Sequence, residues 1–263
     1  MSIVFVNSKQ AIQSNRGSWK IRGISTSNLF QGHTLSCQDD IFEFLNRFPP
    51  IIAMVHVKNP CYKFVNFSRY NIYDAVDNKK YVNLSRFDAQ ITANIQDSCT
   101  TNICMRIPHH DNLHCNVHKL PISHHTPTIG IVGNEQSISY LKSYIILRET
   151  DFSNSCAFFN SIDIAIAWKK RALKSELPCE RFTNPISWNI PTIGYPYKSY
   201  KSYNHSNNFI CSDLKCIFRK IRDIRTGVLE YDFNQLRNEV VQDIGLTHIK
   251  HLYNLLFEKL KKY

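Results

Sequence analysis

The chain has 263 residues, a length that fits one large domain or two small ones. Hydrophobic residues make up 43% and charged residues 20%, a balance that excludes a disordered or membrane-embedded chain. Lys and Arg number 32 against 21 Asp and Glu, a formal charge of +11, which favours an anionic partner such as a nucleotide, a nucleic acid or an acidic membrane surface and excludes no enzyme class.

In chain order, IVFV (3–6) reads as a first strand, followed by a Ser/Asn/Gly loop and a helix through residues 18–30. The segment 39–48 is amphipathic, with Ile41, Phe42, Leu45 and Phe48 expected on one buried face. Pro49 and Pro50 end it, and IIAMVHV (51–57) follows as a buried strand. Residues 71–77, 88–94 and 102–108 are further short strands. After a stretch rich in Pro and His (108–128), a second cycle begins with TIGIVGN (128–134) as a strand and SISYLKSYII as a helix. SIDIAIAW (161–168) and IPTIGYP (190–196) are strands, and residues 216–225 and 232–262 are helical, with a break at Gly245. In the last helix Ile249, Leu252, Leu256 and Leu260 recur at three and four residues, which predicts one buried face. Strands alternating with helices, twice over, predict an α/β chain with two parallel sheets. The division is expected at 1–122 and 123–263, with the hinge near 118–128 and the terminal helix in the second lobe.

The N-terminus has no basic segment leading into a long apolar one, and no apolar run reaches the ~18–20 residues that span a bilayer. Nine cysteines, an odd and scattered count, suit reduced thiols. A cytoplasmic location is the expectation.

Several segments carry residues suited to chemistry. Arg16, Gly17, Ser18, Trp19, Lys20, Arg22 and Gly23 follow the first strand, where ligands bind at the carboxyl edge of a parallel sheet. Glycines allow close backbone approach and helix-start N–H groups attract anions; the alternative is an ordinary connection with Trp19 in the core. Gly130 and Gly133, before Asn134, form a strand-to-turn glycine pattern short of a full dinucleotide fingerprint, so it reads as a phosphate cradle or as a tight turn. Asp74 and Asp77 end a strand and are candidates for taking a hydroxyl proton, binding sugar hydroxyls or capping a helix. Six histidines crowd residues 109–125 with Cys115, but no C-x-x-C pair accompanies them as structural zinc would require. His109 and His110 are instead candidates for lining a ligand cleft. No G-x-S-x-G elbow is present.

The basic cluster Arg219, Lys220, Arg222 and Arg225 has helical spacing and is either a solvated face or a site for peripheral contact with an anionic membrane or a phosphate backbone. Residues 161–263 carry 17 basic and 10 acidic side chains, and the preceding residues 15 and 11. Both halves are therefore basic, as a phosphate-bearing ligand would favour.

Taken in order, Gly17–Gly23, Tyr73-Asp74-Ala75-Val76-Asp77, Arg106–Asn112, Ile129–Gly133, Asp163–Ala167, Arg181–Gly194 and the final THIKHLYNLLFEKL resemble a glycosyltransferase of the two-lobed GT-B type, in particular compact members of the group that includes family 4. The resemblance implies two Rossmann-like lobes whose parallel sheets face a central cleft. It also implies metal-independent transfer of a sugar from a nucleotide-activated donor to a glycan or glycoconjugate, with no cofactor beyond that donor. Gly133, Asn134, Arg181, Thr183 and Asn184 are placed near the donor, and Arg16, Ser18, Trp19 and Arg22 near the acceptor. Asp74 or His109 is the implied base. The family's usual acidic pair is absent; Asn184 and Ser187 stand near its position. No nucleic acid is expected as partner. Two other classes stay in view: a basic nucleic-acid-binding protein, and a GT-B-like partner subunit without activity of its own.

Overall fold

Strands covered on both faces read as continuous apolar runs, and the first such run, Ile3–Asn7 (β1), is buried at all five positions. The computed structural model describes residues 2–14, 19–48, 50–76, 82–94, 99–109, 126–132, 144–148, 155–168 and 179–263. The chain divides into two compact units, residues 1–112 with 244–263 and residues 113–243.

In the first unit β1 lies between His33–Ser36 (β2) and Ile51–Val57 (β3). The sheet continues through Ser68–Ala75 (β4), Ala89–Thr92 (β5) and Ile103–Arg106 (β6), every pairing parallel, in the order β2-β1-β3-β4-β5-β6. The chain therefore leaves β1 toward one edge and returns to its other side. That reversal marks the ligand crevice of open parallel sheets, at the strands' carboxyl ends.

Alternate residues of β1 feed two cores. Ile3 and Phe5 join Trp19, Val55, Ile72 and Ile91 on one face, while Val4 and Val6 join Leu35, Ile41, Phe44, Met54 and Phe64 on the other. The second face is covered by the helix Ile41–Arg47, whose start is capped by Asp40 accepting from the Phe42 N–H at 2.8 Å. It buries Ile41 and Phe44, whereas Phe42, expected inward, is 64% exposed. The inward stripe runs through residues three apart, and Phe42 instead packs edge-on against Phe67 at the surface. A π-helical turn, Trp19–Ser25, and the helix Leu246–Lys262 cover the first face.

The terminal helix supplies Ile249, Tyr253, Leu256, Phe257 and Leu260 to that core. Its buried stripe is as expected, but the surface it covers is the first unit's sheet, so the second unit ends at residue 243. Periodicity reveals that a helix has an apolar face and is silent on which sheet receives it.

The second unit holds a smaller parallel sheet of Ile129–Ile131 (β7), Ile146–Arg148 (β8), Ile164–Ala167 (β9) and Thr192–Gly194 (β10), in the order β10-β9-β7-β8. Its strand order reverses between β7 and β9. Leu214–Arg225 buries Ile217 and Ile221 against Ile129, Ile131, Ile164, Ile166 and Ile193. Ser155–Asn160 and the Trp188 region cover the opposite face through Phe158, Phe159, Ile162 and Ile190. A β-carbon on Gly130 would stand 2.3 Å from Ile162 Cδ1 and 2.9 Å from Phe158, so this glycine serves close packing. The segment expected as a helix, 137–146, runs at its end into β8, and its residues 137–143 lie outside the described residues.

The cysteines depart from the reduced-thiol expectation. Cys99 is bonded to Cys104 and Cys211 to Cys216, with Cα atoms 6.0 and 5.5 Å apart. Among the described residues, no helix is long and apolar enough to cross a membrane.

Candidate functional site

The polar centre of the first unit lies at the carboxyl ends of its strands. Asp74 is the penultimate residue of β4, and its backbone carbonyl accepts from the N–H groups of Lys58 and Val76 at 2.9 and 3.0 Å. Its carboxylate faces the Arg22 guanidinium, Oδ2 to Nε 3.3 Å, and neither side chain is exposed. Arg22 is delivered by the π-helical turn, a geometry that recurs at functional sites. Its two terminal nitrogens donate to the carbonyls of Ile107 at 2.6 Å and Pro108 at 3.2 Å, just beyond β6. One guanidinium thus fastens the loop after β1 to the ends of β4 and β6.

Tyr253 of the terminal helix stands beside this pair. Burial raises its phenol pKa first, the Asp74 charge raises it further, and Arg22 works in the other direction. Tyr253 is not among the sequence's site candidates, because its helix reads as part of the second lobe. His109, the residue after Pro108, is also buried, at 1% exposure.

The structure brings Arg22, Asp74 and the segment leading to His109 to one strand edge, out of water. Trp19, expected to face an acceptor, is a core residue at 2% exposure. Its ring lies directly over Gly23, where a β-carbon would come within 2.4 Å of it. A side chain at position 23 would collide with the indole. Arg16, Ser18, Asp77, His110 and the remaining histidines up to His125 lie outside the described residues.

In the second unit, Arg181, Thr183 and Asn184 share the helix Glu180–Ser187. Thr183 is fully buried and its hydroxyl donates to the Cys179 carbonyl at 3.2 Å, so it secures the helix rather than presenting a hydroxyl to a ligand. Arg181 is half-buried, and its charge is felt at Tyr200, whose phenol burial drives upward and Arg181 partly restores. Tyr200 stacks on Phe182 at 4.9 Å, next to the carboxyl end of β10. Asn184 is half-buried; its Oδ1 is shielded from solvent and accepts no hydrogen bond. Gly133 and Asn134, directly after β7, lie outside the described residues. Among the described residues, no group of three or more His, Cys, Asp and Glu side chains is placed to hold a metal ion.

Two successive units, each built on a parallel Rossmann-like sheet, define the GT-B fold, the architecture of one large class of glycosyltransferases. Solved structures with this fold match the chain. One is a glycosyltransferase from Rickettsia africae ESF-5, at 9% identity, covering 99% of this chain and 98% of that one with a TM-score of 0.64. Another is the DNA-modifying enzyme β-glucosyltransferase, solved in the presence and absence of its substrate uridine diphosphoglucose, at 11% identity, 100% coverage of both chains and a TM-score of 0.54. A third is TarM, at 8% identity over 78% of this chain and 54% of its own, with a TM-score of 0.51; the chain spans about half the length of TarM. No family model and no curated protein matches the sequence.

Proposed function

We propose that the chain is a glycosyltransferase, moving a hexosyl or pentosyl group from a nucleotide-activated donor to a hydroxyl of a glycan or glycoconjugate, without a metal ion or further cofactor. The observation that carries this reading is the GT-B fold matched along the full length of two solved glycosyltransferases. The Arg22–Asp74 pair held at the carboxyl edge of the first sheet supports it.

In this reading the second unit takes the donor. Gly133 and Asn134, which follow β7 in sequence, and Arg181 meet the diphosphate, with cationic and N–H groups offsetting charge that develops on the leaving group. Asn184 Oδ1 offers an unused acceptor to a ligand hydroxyl. The first unit takes the acceptor. Asp74 and His109 are candidates at its strand edge for receiving a hydroxyl proton, and Arg22 is a positioning residue for Asp74.

Thermal-shift titration with UDP, GDP and their sugars tests the proposal, because a ligand bound only by the folded chain raises Tm. Uridine diphosphoglucose comes first, since the β-glucosyltransferase with this fold uses it. A rise with one nucleotide family is expected; no shift with any nucleotide at millimolar concentration overturns the reading. With a donor in hand, Asp74→Asn and His109→Gln separate the two bases. Loss of the true one lowers kcat by ~10²–10⁴-fold and leaves donor affinity unchanged.

A second reading concerns the acceptor. Lys215, Arg219 and Arg222 form an exposed cationic stripe along the helix Leu214–Arg225, which suits DNA, the polymer modified by the β-glucosyltransferase that matches this chain from end to end. Transfer to duplex DNA that weakens steeply with salt, in place of transfer to glycans, would favour it.

A further inference from the structure

Cys37 follows β2 and Cys61 follows β3, and β1 lies between those two strands. The backbone fixes both at the same edge of the sheet. The Cys37 N–H donates to the Asn7 carbonyl at the end of β1, at 2.8 Å, and the Cys61 N–H donates to His56 Nδ1 near the end of β3, at 3.1 Å. Both side chains belong to the apolar cluster around Phe44, Met54 and Phe64. The two thiols are neighbours in that cluster, each the strongest influence on the other's acidity, and both are free.

The Lys63 ammonium acts on both thiols, lowering each. The hydrogen bond from Cys37 holds the Cys61 thiol below its ordinary value; the Lys63 ammonium and the N–H groups of Phe64 and Lys63 add to that effect, and burial opposes it. Cys37 is pushed the other way, first by the same hydrogen bond and then by burial. Two free thiols side by side at one sheet edge, one buried and one half-buried, have the placement of an attacking and a resolving thiol. Cys37 is only half-buried and gives small oxidants access to the pair.

We propose that Cys37 and Cys61 form a redox-modifiable pair that hydrogen peroxide closes to a disulfide. The Cys61 thiolate attacks one peroxide oxygen, the O–O bond breaks, and the departing hydroxide takes up a proton as water, leaving a sulfenic acid. Cys37 then attacks that sulfur, the S–O bond breaks, the Cys37 proton leaves with the oxygen as a second water, and the S–S bond forms. Peroxide gains two electrons and the thiol pair loses two. The new bond ties the loop after β2 to the loop after β3 across the end of β1, where the strand order reverses. Oxidation therefore restrains the edge at which a sheet of this kind admits its ligand.

The test exposes the full chain, reduced and desalted, to a few equivalents of hydrogen peroxide, blocks free thiols by alkylation, and maps tryptic peptides. The expected product joins peptide 23–47 to peptide 59–63, two hydrogens lighter than the separate pair and released by reductant. The Cys99–Cys104 bond lies within the single peptide 87–106 and produces no such cross-link. In Cys37→Ser, the Cys61 sulfenic acid has no resolving partner and is captured by dimedone. Complete alkylation of Cys61 after peroxide, or its conversion to sulfinic acid without the cross-link, overturns the proposal. The wild-type cross-link decides alone if the variant fails to fold.

Discussion

Arg22 and Asp74 meet at 3.3 Å with neither side chain exposed to solvent, one on a turn that follows β1 and the other at the end of β4. Both charges are buried, so removing one takes a countercharge from its partner in the interior. Arg22→Met is expected to cost ~3–5 kcal/mol in urea unfolding. The double variant Arg22→Met/Asp74→Leu is expected to be more stable than Arg22→Met alone, because the buried Asp74 charge is removed together with the arginine that balances it. Two losses that simply add would show that the pair carries no coupling.

Gly23→Ala tests the packing of Trp19. On an exposed helix the change gains up to ~1 kcal/mol, but here the new methyl meets the indole at 2.4–2.7 Å. Net destabilisation of ~1–3 kcal/mol is expected from overpacking, with a changed near-ultraviolet tryptophan signal. An unchanged or higher Tm would show that the ring moves aside freely.

His56 makes stability depend on pH. Burial lowers its pKa from 6.5 to about 4, and Asn71 offsets this only in part. Between those values the unfolded chain binds a proton that the folded chain refuses. The contribution is therefore complete above pH 6.5 and is lost as pH falls toward 4. It amounts to on the order of 3 kcal/mol. Urea midpoints measured from pH 7 to 4 should fall more steeply for the wild type than for His56→Gln; parallel curves would remove His56 as the cause.

Leu256→Ala should reveal which unit owns the terminal helix. Leu256 is fully buried in the core of the first sheet, so a loss of ~2–5 kcal/mol is expected. Hydrogen exchange should quicken in β1 and β3 and stay unchanged in β7 and β9. The opposite pattern would contradict the packing described above.

Much of this architecture was legible in the sequence, and the misses have physical causes. IVFV and IIAMVHV announce central strands because both of their faces are buried. HTLS (β2) is shorter and half exposed, so no apolar run betrays it. Arg22 and Asp74 were each singled out for position at a strand edge. Their mutual pairing was not visible, since it depends on strand order rather than on local spacing. Trp19 sits in a motif that suggests a ligand loop, yet an indole beside a glycine also describes ring-on-backbone packing, and the latter prevails. The contact between Cys37 and Cys61 was hidden for a related reason: their strands flank β1, an adjacency that no cysteine spacing encodes.

The docking of Leu246–Lys262 on the first sheet bears on biogenesis. All of residues 113–243 are synthesised before the helix that closes the first unit's core emerges from the ribosome. Until then the apolar side of Phe5, Val55 and Ile72 has the Trp19–Ser25 turn as cover and lacks the terminal helix. Domains are generally expected to mature in the order of translation. Here the unit begun first is finished last, and the waiting sheet is the natural client for a chaperone.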